Sequence, residues 1–185
     1  MEELSLNILD IAQNSISAGA SLIDIEVIED DVANLLIIRV EDNGKGMDED
    51  LLEKVQSPFI TTRTTRKVGL GISFFKEAAE ITGGSFEISS MPNVGTEVTA
   101  TFIKDHIDRQ PIGDVGGTIT TLVTLNPEIE FALTYKVNKE RFDFTTHEVK
   151  EMLGDDTPIS SPAIVSFLSE YLSQHIENIK KERGK

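Results

Sequence analysis

The chain has 185 residues, with 17 Lys and Arg against 32 Asp and Glu for a formal charge of −15, and it contains no Cys and no Trp. That length builds one domain, or one with an appendage. The missing cysteines exclude a disulfide framework, a thiolate nucleophile and Cys-ligated metal centres. So acidic a chain opposes nucleic-acid backbones and anionic membranes, and its longest aliphatic run, Leu35 to Ile38, is far below the ~20 residues that cross a bilayer. A cytoplasmic protein is expected, since the N-terminus shows no basic flank leading into an apolar stretch. Any anionic ligand must then meet a local reversal of charge.

Residues 4–18 predict a largely buried helix, apolar on nearly all sides through Leu4, Leu6, Ile8, Leu9, Ile11 and Ile16. Strands follow, one alternating Ile23, Ile25 and Val27 with Asp24 and Glu26, the next covering Leu35 to Glu41. Asp42-Asn43-Gly44-Lys45-Gly46 breaks the pattern as a turn. A short helix is expected from Asp48 and a longer one over Leu70 to Ile81, closed by Gly83-Gly84, then strands over Ser85 to Met91 and Thr96 to Ile103. Between Asp105 and Gly117, Pro111, Gly113, Gly116 and Gly117 suggest a linker or crossing loop. Beyond it, Thr118 to Leu125 and Ile129 to Val137 predict a hairpin turning at Asn126-Pro127. Thr145 with Glu148 has the form of a capping box for a helix ending at Gly154. The last helix, capped by Ser161 with Pro162 at its first position, lines Ile164, Phe167, Leu168, Tyr171, Leu172, Ile176 and Ile179 along one face. That face needs a partner, either the sheet or a second copy of the chain.

Three features carry chemistry. Asn7, Asp10, Asn14 and Ser17 form a stripe at helical spacing; they could be a solvent-facing strip, or Asn14 could give an oxygen to a hard cation with Asp10 one turn away. From Lys54 to Lys76 there is no acidic residue, while Thr61, Thr62, Thr64 and Thr65 alternate with Arg63, Arg66 and Lys67 and lead into Val68-Gly69-Leu70-Gly71. Hydroxyls, cations and a glycine-rich helix entry suit a polyphosphate. Asp42-Asn43-Gly44 is by itself a turn sequence. The ordered set of acid and Asn, DxGxG after a strand, Thr-rich basic loop, GLG and Gly95-Thr96 is far more specific than any member of it.

This set resembles the GHKL superfamily of gyrase, the ninety-kilodalton heat-shock chaperones, sensor histidine kinases and MutL, over residues 4–104. Leu9-Asp10-Ile11-Ala12-Gln13-Asn14-Ser15-Ile16-Ser17-Ala18-Gly19-Ala20 is similar to the MutL version of the N box, and Pro58-Phe59-Ile60-Thr61-Thr62 with Val68-Gly69-Leu70-Gly71-Ile72 to the F and second glycine boxes of histidine kinases. The resemblance implies an α/β fold, the two-layer Bergerat sandwich, over residues 1–104; residues 105–185, which it does not cover, read as an extension of hairpin and helices that packs on that domain or forms an interface. It implies ATP and Mg²⁺ as ligands: Asn14 would coordinate Mg²⁺, Asp42 would accept from the adenine amine, and Thr96 would support that carboxylate through water. Gly44 and Gly46 would admit the base, Gly69 to Gly71 would offer amides to phosphates, and Pro58 to Val68, with Phe59, Thr61, Thr62, Arg63, Arg66 and Lys67, would form a short lid.

There are departures. The N-box acid is Asp10 where catalytic members have Glu, and Ser17 stands where many histidine kinases have a basic residue. No phospho-acceptor histidine box precedes the first helix, and His106, His147 and His175 are expected to be structural or surface residues. The implied functions are a stand-alone kinase akin to anti-sigma factors, acting on an unidentified regulatory protein with Asp10 as its general base, or an ATP-dependent binding switch with little turnover. A gyrase- or MutL-like transducer ATPase fits less well, because 81 residues after Lys104 are few for a transducer domain and the acidic surface argues against DNA.

Overall fold

The computed structural model describes residues 3–56, 70–154 and 156–182. In chain order the elements are α1 (Leu4–Ser17), β1 (Leu22–Asp30), β2 (Leu35–Asp42), α2 (Glu49–Gln56), α3 (Leu70–Glu80), β3 (Ser85–Met91), β4 (Gly95–Ile103), α4 (Val115–Leu125), β5 (Glu130–Val137), β6 (Glu140–Thr145), α5 (Thr146–Leu153) and α6 (Pro162–Lys181). The strands form one mixed sheet in the order β3-β4-β2-β1-β5-β6, antiparallel except where β5 runs parallel to β1. Strict alternation decides its two faces. Ile23, Ile25 and Val27 of β1 stand beside Val40 and Ile38 of β2 and Phe131, Leu133 and Tyr135 of β5, all buried. Helices α3, α1, α4 and α6 lie in a row over that face, each touching the next. The other face is polar: Arg39 sits among Glu26, Glu41 and Glu97 at 3.1 to 3.5 Å. This is a two-layer α/β sandwich, as the sequence predicts.

Helix α1 is fixed at both ends. Ala20 N–H donates to Ser15 O (3.1 Å) and Gly19 N–H to Ile16 O (3.0 Å), with Gly19 at φ 75°, the paired bonds of a glycine-terminated helix. At its other end the N–H groups of Leu4 and Ser5, which have no partner within the helix, donate to the carbonyls of Pro111 and Ile112 at 2.9 and 2.8 Å. The stretch read as a linker or crossing loop thus also caps the first helix.

The expected hairpin over residues 118–137 is corrected. Its first half is helix α4, and the hairpin is β5 with β6, one element later. The β-branched run Thr118-Ile119-Thr120-Thr121-Leu122-Val123-Thr124 has strand propensity, but Asp114 caps it by accepting from Gly117 N–H (2.8 Å). The hydroxyls of Thr118, Thr120, Thr121 and Thr124 each donate to the carbonyl four residues back. The buried Ile119, Leu122 and Val123 then face the core at helical spacing. Gly116, expected in a linker or crossing loop, lets α4 approach α6: a Cβ there would stand 3.1 Å from Ser173 N. Helix α6 finds its partner inside the chain, burying Leu168, Leu172 and Ile176 against α4, β5 and β6, and leaving Phe167 exposed. His106, His147 and His175 lie in a turn, on α5 and on α6; His175 stacks on Phe142 at 4.9 Å.

Helix α5, capped by Thr145 as predicted, is anchored on β5. Burial acts to raise the Glu130 carboxyl, but bonds from Lys150 Nζ and Thr146 Oγ1, both 2.6 Å, outweigh it and hold it below the ordinary 4.5. A lowered carboxylate stabilises the fold above its ordinary value, and that contribution is lost as pH falls through the lowered one. Amide protection of α5 is therefore expected to drop when the pH falls below 4.5, and Lys150→Ala to flatten that dependence. Protection in α5 that ignores both changes would contradict the anchor.

Candidate functional site

The site is built where β2 ends under the C-terminal half of α1. Asp42 is the last residue of β2, faces the helices, and pairs across the sheet with Ile23 and Thr96. It is 9% exposed. A carboxylate so buried needs donors, and both oxygens have one: Oδ1 accepts from Gly44 N–H at 2.8 Å and Oδ2 from Ser15 Oγ at 2.6 Å. Ser15 is itself 3% exposed and next to Asn14, which is half-buried. The carboxylate is thus held in one orientation by α1 and by its own loop, with lone pairs to spare for another donor.

The loop after Asp42 is stitched on both sides. Asn43 Oδ1 accepts from Ser21 and Leu22 N–H at 2.9 Å, its Nδ2 donates to Ser21 Oγ, and Lys45 N–H donates to Ala18 O. On the other side Asn93 N–H donates to Lys45 O (2.7 Å) and Met47 N–H to Ser90 Oγ (2.8 Å). Gly46 is required by this packing: it has φ 63°, and a Cβ would overlap the Met91 carbonyl. Position 44 is close-packed as well, though less so, a Cβ there falling 2.9 Å from Asp42 Oδ1 and 3.0 Å from the Ala18 Cβ. Thr96 shares the row with Asp42, and its hydroxyl lies 2.9 Å from that of Ser90.

Asp10 lies one turn before Asn14, exposed, beside the start of α3. A Cβ on Gly71 would be 2.9 Å from the Asp10 Cβ and 3.3 Å from its Oδ2, so the missing side chain lets the two helices meet around this carboxylate. Ile72 is buried behind it. Asp42, Gly44, Gly46 and Thr96 therefore lie at the end of β2, with Ser15 and its neighbour Asn14 above them, while Asp10 meets Gly71 where α1 and α3 approach, Ile72 following on α3. Phe59, Thr61, Thr62, Arg63, Arg66, Lys67, Val68 and Gly69 lie outside the described residues, as does the side chain of Leu70.

Sequence reasoning missed Ser15, the direct donor to Asp42, and Ser90. Ser15 stands inside the N-box segment, one residue past Asn14, so its place was readable although its target was not. Nothing in the sequence marks Ser90 beyond its alternation in a strand. Among the described residues no group of three His, Cys, Asp or Glu could hold a metal ion alone. Asn14, the residue expected to coordinate Mg²⁺, is half-buried one turn after Asp10, and magnesium takes one or two protein oxygens and fills its shell with phosphate and water. A groove of about 630 Å³ between α4 and α6 has no residue in common with this site. Among the described residues no helix is long and apolar enough to cross a membrane.

Residues 1–106 match the family model for histidine kinase-, DNA gyrase B- and HSP90-like ATPases. Over 95 residues the chain is 30% identical to the sensor histidine kinase YvrG of Bacillus subtilis, covering 49% of this chain and 16% of that protein. Over 65 residues it is 40% identical to sporulation kinase D of the same organism, covering 35% and 13%. It thus spans under one fifth of these kinases' length. The MutL ATPase domain of Aquifex aeolicus complexed with ADP shares the fold at TM-score 0.50 and 19% identity, over 78% of this chain and 64% of that one. The N-terminal domain of a DNA repair protein does so at TM-score 0.55 and 17% identity, over 77% and 52%. With 106 of its 185 residues matched by that family model and its sheet-and-helix sandwich shared with the MutL ATPase domain, the chain belongs to the GHKL family of ATP-binding proteins.

Proposed function

We propose that this chain is a regulatory protein that binds Mg-ATP and transfers its terminal phosphoryl group to a partner protein. The observation that carries the nucleotide reading is Asp42, a buried carboxylate held by Ser15 and Gly44 at the floor of a loop packed too tightly for side chains at positions 44 and 46. Such a carboxylate accepts from the exocyclic amine of adenine and meets the carbonyl of guanine with no proton to share. Asn14, one turn past Asp10 on the same helix, would hold magnesium, which when bound neutralises charge on the phosphates. The kinase-like part of the reading draws support from the histidine kinases that match residues of the same domain.

In this reading Asp10 orients the attacking hydroxyl and takes its proton. A general base must come within ~2.6 to 3.2 Å of the donor atom, directly or through one water. An Asp in place of Glu withdraws the carboxylate by about one carbon–carbon bond, ~1.5 Å, so hydrolysis by the protein alone should be slow, while a docked partner hydroxyl could close the gap. Labelled ATP with a lysate, scored separately for phosphate release and protein labelling, tests this. Asp10→Asn is expected to abolish labelling, by ~10²-fold or more, with ATP affinity kept. If labelling never occurs and Asp10→Glu leaves turnover flat while ATP still binds, the chain uses ATP as a ligand that switches partner binding. The exposed, shortened carboxylate favours that second reading.

A further inference from the structure

The sheet has two edges, and they are treated differently. β6 carries Glu140, Arg141 and Asp143 among its six residues and is touched by α5 and α6, while β3 is touched by α3. β3 has seven residues, Ser85-Phe86-Glu87-Ile88-Ser89-Ser90-Met91, with no Lys, no Pro and one charge. Its register runs without a gap from Ser85 opposite Thr101 to Met91 opposite Gly95, so no bulge twists the edge away. Among the described residues no backbone hydrogen bond reaches its outer side. Antiparallel pairing leaves the N–H and C=O groups of alternate β3 residues pointing outward. A straight edge that shows, among the described residues, no Lys, no Pro and no bulge is a template for another strand.

We infer that the outer edge of β3 is a docking site at which an extended, cationic segment of a partner protein adds to the sheet as a seventh strand. A groove of about 360 Å³ runs along this edge, lined by Phe86, Glu87, Ile88, Ser89, Glu97 and Gln56. Half-buried Phe86 and Ile88 face the helix side, and exposed Glu87 lies on the other. The fitting segment therefore alternates apolar residues, which continue the row of Phe86 and Ile88, with Lys or Arg, which meet Glu87; Glu97, one strand further in, is held by Arg39 at 3.1 Å. Backbone bonds would supply affinity and this alternation specificity. A second copy fits less well, because each chain brings a charge of −15 to the contact. The inference does not depend on nucleotide chemistry and is tested without ATP.

The full-length protein, labelled for amide NMR, is titrated with a blocked peptide of alternating Lys and Val. Two controls are its isomer with all Lys before all Val and its fully N-methylated form. The alternating peptide is expected to shift the amides of Ser85 to Met91 and slow their exchange, more weakly at high salt. The N-methylated form, lacking donors, should not bind, and the isomer should bind at least tenfold more weakly, as should the alternating peptide to Glu87→Lys. Glu87 is exposed, so thermal unfolding of that variant should match the parent's. Equal binding of the isomer or the N-methylated peptide would reduce the effect to charge attraction and overturn the proposal. So would shifts outside β3, absence of binding at about 1 mM peptide, or a dimer of the protein alone whose interface maps to β3.

Discussion

A chain ending at Lys104 is expected to lose cooperative folding altogether, although the family match stops two residues later. Such a cut removes β5 from the edge of β1 and uncovers Ile23, Ile25 and Val27, which stand beside Phe131, Leu133 and Tyr135. It takes away α4, which packs on α1, and the Pro111 and Ile112 carbonyls that accept from the first turn of α1. Glu29, 2% exposed, loses the Tyr135 hydroxyl that donates to it at 2.9 Å. Each large apolar side chain returned to water costs about 1.5 to 3 kcal/mol, and a domain has only about 5 to 15 kcal/mol in all. Thermal unfolding followed by circular dichroism should show a sharp transition for the whole chain and none for residues 1–104. A shortened chain that melts sharply and still binds ATP would establish the N-terminal part as an independent domain.

The Asp42→Asn protein is expected to bind ATP about 5- to 150-fold more weakly, a loss of ~1 to 3 kcal/mol from one charge-assisted bond. Its fold should survive, because the amide oxygen can accept from Gly44 N–H and the amide nitrogen can donate to Ser15 Oγ, which keeps both present contacts in place. Asp42→Ala leaves Gly44 N–H without its acceptor and Ser15 Oγ with only the Ile11 carbonyl at 3.4 Å, and should cost stability as well as affinity. Calorimetry with ATP and GTP on parent and Asn variant reads both terms. The parent should prefer ATP strongly and the variant should lose most of that preference. Equal affinity of the parent for the two nucleotides would remove Asp42 from the adenine contact.

The Ile23, Ile25, Val27 alternation, the Asp42 to Gly46 turn, the Ser161-Pro162 helix start and the ordered N-box and glycine segments were all legible in the sequence, because period, caps and turns are local properties of the chain. The run from Val115 to Leu125 was not. Its β-branched residues favour a strand locally, and what makes it a helix is the Asp114 cap together with a slot between α1 and α6 that helical spacing of Ile119, Leu122 and Val123 fills. The sequence likewise placed Asp42 in the site but could not say what holds it. Ser15 lies 27 positions earlier, and its hydroxyl meets the Asp42 carboxylate only because α1 is laid across the end of β2 and pinned there by Pro111 and Ile112. Bonds between residues far apart in the chain carry no periodic mark, so the partners of Asp42, the neighbour of Asp10 and the place of β3 at the sheet edge were decided by tertiary packing alone.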